Sequence, residues 1–525
     1  MNSRSNWLYL SILLIFIAGF ALRLYDLTDQ PIDFHPTRQL RGAIIARGMY
    51  YEMLPNVDES LRQKAVTFWR STGQYEPSIL ERLAAITYLL VGGEYIWIAR
   101  IINAFFWIIG GMALFALAKR MAAAALARNI VSSSSIRQAA IVAALVALAY
   151  YLFLPFGVFA SRSFQPDPGM VMWLLLFSYF IYRWSEKPQW NWAVLAGICG
   201  GMAILTKAIA FYTIAGIGIS IFLYSTGFNR LGFLKSIKNP QLWSMAGIII
   251  APPVIYSIFL GSERAAEYFQ SWTLALSHLL LEPWFYLRWT VLLQRLITPA
   301  ALVLAAAGVF LSRSRNLAFL VGAWGGYIIY GFFFPYQMYS HNYYHLQVVA
   351  ISALSLVPVT SWLYAKAAGS KPVWRYSLVG AAILGLGYFI LATAIPLRSQ
   401  DYRNEPSYWQ EITSYLPEDG KIIALTQDYG YRLMYYGWKK VSLWPNRGEQ
   451  NLNSLRGSNK EFSSFFTRQT ADKSYFLITS FRQFDDQPEL KQELYEHYPI
   501  FAQGNGYLIF SLNEKHSVSD PAVLP

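Results

Sequence analysis

The sequence predicts a polytopic α-helical membrane protein, with about eleven transmembrane helices and a small soluble α/β domain at its C-terminal end. Three observations predict it. Hydrophobic residues make up 55 % of the chain and charged residues only 14 %, against about 25 % charged in soluble domains. The apolar residues gather in runs of roughly twenty, the length a helix needs to cross a bilayer. Beyond Pro396 the composition turns polar and mixed, and the apolar runs become short.

The first run, Trp7 to Leu24, lacks a small-residue cleavage site and ends in Arg23 and Tyr25. It reads as a retained first helix and not as a signal peptide. Further spans are expected near 96–118, 139–159, 169–184, 191–206, 208–225, 243–260, 298–312, 317–334, 344–364 and 374–396. The loops orient them. Lys119, Arg120, Arg128 and Arg137 share one loop, Arg183 and Lys187 a second, Arg230, Lys235 and Lys238 a third. Arg313 with Arg315, and Lys366 with Lys371 and Arg375, complete the set. All fall on the side of Arg4, which the positive-inside rule makes cytoplasmic. The expectation is a multi-pass protein of the inner or plasma membrane, with its C-terminal domain extracytoplasmic.

The outer side carries two long loops, 26–95 and 261–297. Arg38–Tyr51 and Ile79–Leu90 are amphipathic and suited to lie in the interface. The second loop is rich in Trp, Tyr and Leu, which favour the headgroup level. The division expected is a membrane domain over 1–396 and an extracytoplasmic domain over 397–525. In the latter, Lys421–Thr426, Tyr475–Thr479 and Tyr507–Leu512 read as buried strands, and Glu405–Tyr415 and Gln487–Tyr498 as helices. Asp428 reads as an N-cap, with Tyr435, Tyr436 and Trp438 in the helix that follows.

A net charge of +13 invites a nucleic-acid reading, but the cations sit in short loops between apolar runs. Positive-inside topology and anionic membrane lipids explain them, and no nucleic-acid partner is expected. The single cysteine, Cys199, excludes a disulfide framework and a multi-thiolate metal site.

Chemistry-bearing residues gather at the outer ends of the apolar helices. Asp33 follows the first helix. Arg162 and Asp167 lie in the turn between the third and fourth. Lys207 occupies a tight turn between the fifth and sixth, and His341, Tyr344 and His345 frame the start of the tenth. Each has a simpler reading. Asp167 caps the fourth helix with Pro168 at its first position. Lys207 snorkels to the headgroups, and Arg47 and Arg100 anchor in the interface. His341 and His345, four apart on one helical face, have metal-ligand spacing, but with no third ligand nearby in sequence the pair reads as structural or hydrogen-bonding.

Five segments resemble the GT-C membrane glycosyltransferases, in particular the branch of the protein O-mannosyltransferases and the lipid A aminoarabinose transferase. Pro31-Ile32-Asp33-Phe34-His35-Pro36-Thr37-Arg38-Gln39, with Ala46-Arg47-Gly48-Met49-Tyr50, is similar to the first outer loop that holds the family's catalytic acid. Tyr75-Glu76-Pro77-Ser78-Ile79-Leu80 through Arg100 resembles the approach to the second helix. Ser161-Arg162 with Asp167 resembles the second acidic position. Gly197 to Lys207 resembles a glycine-rich helix ending in lysine, and His341 to Leu354 the tyrosine-rich start of a late helix. Asp33 is followed by Phe34 and His35 where many relatives have Asp-Glu, and Glu76-Pro77 replaces their Lys-Pro or His-Pro.

The resemblance implies a GT-C fold and transfer of a sugar from a polyprenyl-phosphate donor to a protein, lipid or polysaccharide acceptor, with inversion. It implies Asp33 and Asp167 as catalytic residues. Arg162, Lys207, His341, Tyr344 and His345 would meet the donor phosphate, supported by His35, Arg38 and Glu76. The cofactor stays open, with a divalent cation as the candidate. A transporter or flippase for a lipid-linked glycan is the alternative. Transporters place polar groups at midplane on broken helices, whereas here they gather at one face. A non-catalytic scaffold leaves the Asp, Lys and His residues without a reason.

Overall fold

The computed structural model describes residues 3–73, 76–127, 133–259, 269–368, 371–417, 421–458 and 461–514. Arg128 and the start of the second long loop lie outside the described residues. The chain divides into two compact units. One comprises 1–27, 74–80 and 97–400, the other 28–73, 81–96 and 401–525.

The first unit is helical, and every expected span falls on a helix. These are Ser3–Leu24, Trp97–Leu126, Ser133–Phe153, Asp167–Glu186, Trp190–Thr206, Ala210–Ser225, Pro240–Phe259, Pro299–Leu311, Ser314–Phe333, Leu346–Ala368 and Pro372–Ser399. Among the described residues six helices are long and apolar enough to cross a membrane, or seven if a bent pair counts as one span. That pair, Pro283–Ile297 and Pro299–Leu311, turns through 99° at Thr298, which has a φ of 70°. The first arm exposes Trp284, Tyr286 and Leu287 and buries Phe285 and Trp289. That two-faced pattern suits the headgroup level expected of this loop.

The third expected span is broken. Pro155 lacks an N–H and disfavours helical geometry at the residue before it. Leu154 accordingly takes φ −57° and ψ 124°, and a short helix, Pro155–Ser161, starts afresh. Helices Ala210–Ser225 and Ser314–Phe333 meet backbone to backbone. A Cβ on Gly322 or Gly326 would collide with the main chain around Gly216 or Tyr212. Small residues let membrane helices approach this closely, where packing and not water drives association.

The second unit contains a five-stranded sheet in the order β2-β1-β3-β5-β4. β1 is Ile422–Leu425, β2 Ser442–Leu443, β3 Tyr475–Ile478, β4 Ile500–Gly504 and β5 Tyr507–Ser511. β1 runs parallel to β2 and β3, and β5 antiparallel to β3 and β4. Ile423, Leu425, Trp444, Phe476, Ile478 and Phe510 form the buried core of this domain. The strands expected from sequence are β1, β3 and β5. β2 and β4 are additional: the first is two residues long, and the second is mostly exposed, so neither carries an apolar run.

The division at residue 397 is redrawn by the fold. Most of the first outer loop groups with residues 401–525 and not with the membrane helices. Helix Pro36–Met53 is buried at every position from Gln39 to Tyr50. It is a core element of the second unit, in place of the interfacial stretch expected. Its Arg47 donates to the Tyr435 carbonyl at 2.6 Å, a partner almost four hundred residues away that no local pattern announces.

Candidate functional site

The helical unit builds its polar centre on a tightly tied turn. Asn103 Nδ2 donates to the carbonyls of Ser163 and Gln165, at 2.6 and 2.9 Å. Gln165 Nε2 donates to Ser163 Oγ at 2.6 Å. Arg23, fully buried in the first helix, donates to Ser161 Oγ at 2.6 Å and to the Leu152 carbonyl at 3.0 Å. These bonds fix where the next helix begins, and Asp167 is its first residue.

Lys207 is the C-cap of helix Trp190–Thr206 and has extended backbone angles. Its Nζ donates to Asp167 Oδ1 at 2.6 Å, with side-chain exposures of 3 % and 0 %. The pair is held by more than mutual attraction. A carboxylate in a first helical turn and an ammonium at a helix C-terminus each meet the favourable end of a helix dipole. The Tyr343 and Tyr344 rings lie 4.9 and 4.7 Å from Nζ, within cation–π range. Asp167 Oδ2 is buried and has no hydrogen-bond partner among the described residues.

Both simpler readings of this pair give way. The N-cap position belongs to Pro166, and Asp167 makes no side-chain cap. Lys207 does not snorkel; burial and the ion pair hold it inside. Arg162 is likewise buried, at 1 % exposure, and Nη2 donates to the Asp26 carbonyl at 2.9 Å.

The two histidines part company. His341 precedes a 3-10 turn, Asn342–His345, so no α-helical face carries both. His341 is partly exposed, and its Nδ1 lies 2.7 Å from Ser340 Oγ. His345 is fully buried. Its Nδ1 lies 2.6 Å from Tyr327 Oη and its Nε2 3.1 Å from the Met338 carbonyl. With both ring nitrogens engaged inside the fold, His345 has a packing role here in place of the phosphate contact expected. Among the described residues no three His, Cys, Asp or Glu side chains converge as a metal cage.

Asp33 belongs to the second unit. It is half-buried and accepts from Gln39 Nε2 at 3.1 Å. The same amide donates to the Phe34 carbonyl at 2.6 Å, which folds the Asp33 loop onto the helix it precedes. His35 is that helix's N-cap in the left-handed region, at φ 46°. This conformation is uncommon outside glycine. Arg38 is half-buried in its first turn. Burial, with the Asp33 carboxylate next in importance, holds the Tyr402 phenol above its ordinary range. Glu76 is half-buried ahead of helix Ile79–Val91, within a segment of the first unit.

The anchor readings of Arg47 and Arg100 also fail. Arg100 is buried and donates to the Leu27 carbonyl at 2.8 Å. Arg47 Nε donates to both Glu94 oxygens, at 3.1 and 2.9 Å, beneath the rings of Tyr435 and Trp438, at 3.9 and 4.5 Å. Burial works against the Arg47 charge, but Glu94 and Tyr435 outweigh it and raise its pKa. Asp428 is not an N-cap. It has φ 51° and accepts from Arg432 Nε at 2.6 Å and Thr37 Oγ1 at 2.9 Å. Arg432 also meets Glu405 at 3.1 Å. Trp438 lies beyond the helix, which ends at Tyr436.

Arg23, Asn103 and Glu94 carry much of this architecture without standing out in the sequence. Arg23 had a signal, a charge at the end of an apolar run. Asn103 and Glu94 had none, since their partners lie tens of residues away.

Residues 134–256 match the family described as Dolichyl-phosphate-mannose-protein mannosyltransferase. The fold is similar to two crystal structures of ArnT from Cupriavidus metallidurans. The apo form has TM-score 0.53 and 14 % identity, covering 97 % of this chain and 98 % of that one. The form bound to undecaprenyl phosphate has TM-score 0.53 and 16 % identity over the same shares. No curated protein sequence matches. The fold is ArnT-like, helical with several apolar spans and with a small C-terminal sheet region.

Proposed function

We propose that this chain transfers a hexosyl or pentosyl group from a polyprenyl-phosphate donor to a protein, lipid or polysaccharide acceptor, at the extracytoplasmic face and with inversion. The observation that carries the reading is the buried Asp167–Lys207 pair with its open carboxylate oxygen, on a chain of GT-C fold. A buried acceptor atom without a partner calls for an explanation, and a bound hydroxyl or cation supplies one.

In this reading Asp33 takes the proton from the acceptor hydroxyl. The acceptor oxygen bonds to the anomeric carbon as the carbon–phosphate oxygen bond breaks, and the bond electrons leave with polyprenyl phosphate. Lys207 and Arg162 offset the charge that develops on the departing phosphate, with His341 and Tyr344 as hydrogen-bond donors. Asp167 positions the Lys207 ammonium. Because the pair is neutral overall, Lys207 offers an aimed donor more than net positive charge.

The test is a purified, reconstituted protein given polyprenyl-phosphate sugars. Polyprenyl phosphate should be released in step with acceptor glycosylation. Movement of the lipid-linked sugar across the bilayer with no transfer would overturn the reading in favour of a flippase. Envelope glycans compared with and without the gene identify the acceptor.

A further inference from the structure

Away from Asp167, the helical unit holds a cavity of about 620 Å³. Its lining includes Tyr224, Arg313, Arg315, Ser361, Trp362 and Lys366. It sits at the opposite ends of the helices that frame the Asp167 centre. Asn103 ties the Asp167 turn, whereas Leu126, late in the same helix, lines the cavity. Those positions are about 35 Å apart at 1.5 Å per residue, close to the roughly 30 Å of a hydrocarbon core. Helix Ala210–Ser225 starts just past Lys207 and brings Tyr224 to the cavity. Helix Leu346–Ala368 starts just past Tyr344 and brings Lys366. The two centres therefore face opposite membrane surfaces.

Charge in this cavity has one sign. Among the described residues no Asp or Glu lines it. Arg313 donates to the carbonyls of Phe310 and Ser312, at 2.7 and 2.8 Å. Arg315 donates to the Ser185 carbonyl at 3.0 Å and lies 5.6 and 5.8 Å from the rings of Tyr182 and Tyr224. Among the described residues none of Arg313, Arg315 and Lys366 forms an ion pair. Glu186, beside Ser185, is already taken by Arg120 at 2.8 Å. The hydroxyl of Ser361, 2 % exposed, is buried with no hydrogen-bond partner among the described residues. Three unneutralised cations and an unused hydroxyl around one cavity are a receptor for a phosphate-type anion.

We infer that this cavity binds the phosphate of an anionic phospholipid from the membrane face opposite Asp167. Basic pockets between membrane helices hold such headgroups, and Trp362 with Leu311 and Ala124 gives the acyl end an apolar wall. A free phosphate monoester has the same recognition chemistry.

Full-length protein in phosphatidylcholine nanodiscs, with and without phosphatidylglycerol, tests this. The readouts are retained lipid by native mass spectrometry and the thermal midpoint. Phosphatidylglycerol should be retained and should raise the midpoint. The triple variant Arg313→Gln, Arg315→Gln, Lys366→Gln should lose both effects, with affinity falling about fivefold per cation removed. The triple Arg230→Gln, Lys235→Gln, Lys238→Gln removes equal charge from a neighbouring short helix and should keep them. Equal loss in both triples would show general attraction to a basic face and overturn the site. Ser361→Ala leaves the charge unchanged and should weaken retention severalfold. Should the cavity triple not fold, undiminished retention by Ser361→Ala overturns the proposal. Inorganic phosphate added to phosphatidylcholine discs separates the sources. A wild-type shift there, absent in the cavity triple and not exceeded by phosphatidylglycerol, replaces the lipid with a soluble phosphate. No response to either ligand overturns both.

Discussion

The Asp167–Lys207 pair of the helical unit and the Arg47–Glu94 pair of the second unit are both buried ion pairs, but on different terms. Arg47 and Glu94 share two hydrogen bonds, and the Tyr435 hydroxyl adds a third, at 2.7 Å. Two aromatic rings cover the guanidinium. Among the described residues Asp167 accepts one hydrogen bond, from Lys207, and has a buried oxygen left over. Its support comes from helix ends. A cluster whose hydrogen bonds close on themselves is built to hold two segments together. A buried carboxylate that keeps an open oxygen fits the receiving role proposed for Asp167. The difference separates architecture from chemistry, which burial alone does not.

The comparison breaks most readily at Asp33, which resembles neither pair because it is half-buried and accepts from the Gln39 amide in a loop. Replacing Asp33 by Asn should leave folding intact and cost transfer about 10²- to 10⁴-fold, the range for a lost general base. Donor turnover by purified protein, alongside its thermal midpoint, checks this. Wild-type turnover removes Asp33 from the catalytic role.

Asp167 and Lys207 test the open pair. Breaking a buried pair from one side costs about 3–5 kcal/mol, because the other charge is left buried alone. Lys207→Met or Asp167→Asn should each lose stability and transfer. The double variant should regain most of the stability, since uncharged partners escape the penalty, and none of the transfer. Lys207→Arg should restore only part of the activity, because a planar fork does not copy a compact ammonium. A double variant that regained activity would make the pair structural, like Arg47–Glu94.

For the closed pair the opposite split is expected. Arg47→Ala should cost about 3 kcal/mol by the same logic, because Glu94, only 16 % exposed, loses its partner and the two rings lose their cation. Transfer measured at a temperature where the variant is folded should stay near wild type. A large fall in turnover with an unchanged midpoint would give Arg47 a role in the chemistry.

Much of this was legible in the sequence. Each expected span falls on helical structure, the third split at Pro155, because a backbone in a bilayer must satisfy its own hydrogen bonds. β1, β3 and β5 were readable as short apolar runs. Asp33, Asp167 and Lys207 were singled out because an ionisable residue next to an apolar helix is costly and so conspicuous. Partnership was not legible. The sequence places Asp167 and Lys207 forty residues apart with no sign that they touch, and the same holds for Arg47 with Glu94. Nor could it give the unit boundary. Helix Pro36–Met53 looked amphipathic, and only its buried arginines and the Tyr435 contact assign it to the second unit. The common helical face that the four-residue spacing of His341 and His345 suggests does not form, because the local turn is 3-10.

Tyr344 offers the finest test of the open centre. Its sequence position suggests a hydrogen-bond donor to the donor phosphate, but the structure turns its ring toward the Lys207 ammonium, 4.7 Å away. The two roles separate on substitution. Tyr344→Phe keeps the ring and loses the hydroxyl, and Tyr344→Leu loses both. If the ring is what matters, Phe should leave the donor KM within about twofold. Leu should raise it about fivefold, the equivalent of ~1 kcal/mol of cation–π attraction at a desolvated site. The Tyr343 ring, at 4.9 Å, still covers Nζ in the Leu variant, which keeps this effect the smallest of the four. Equal losses in Phe and Leu would return Tyr344 to the hydroxyl role and leave the ammonium to Asp167 and Tyr343.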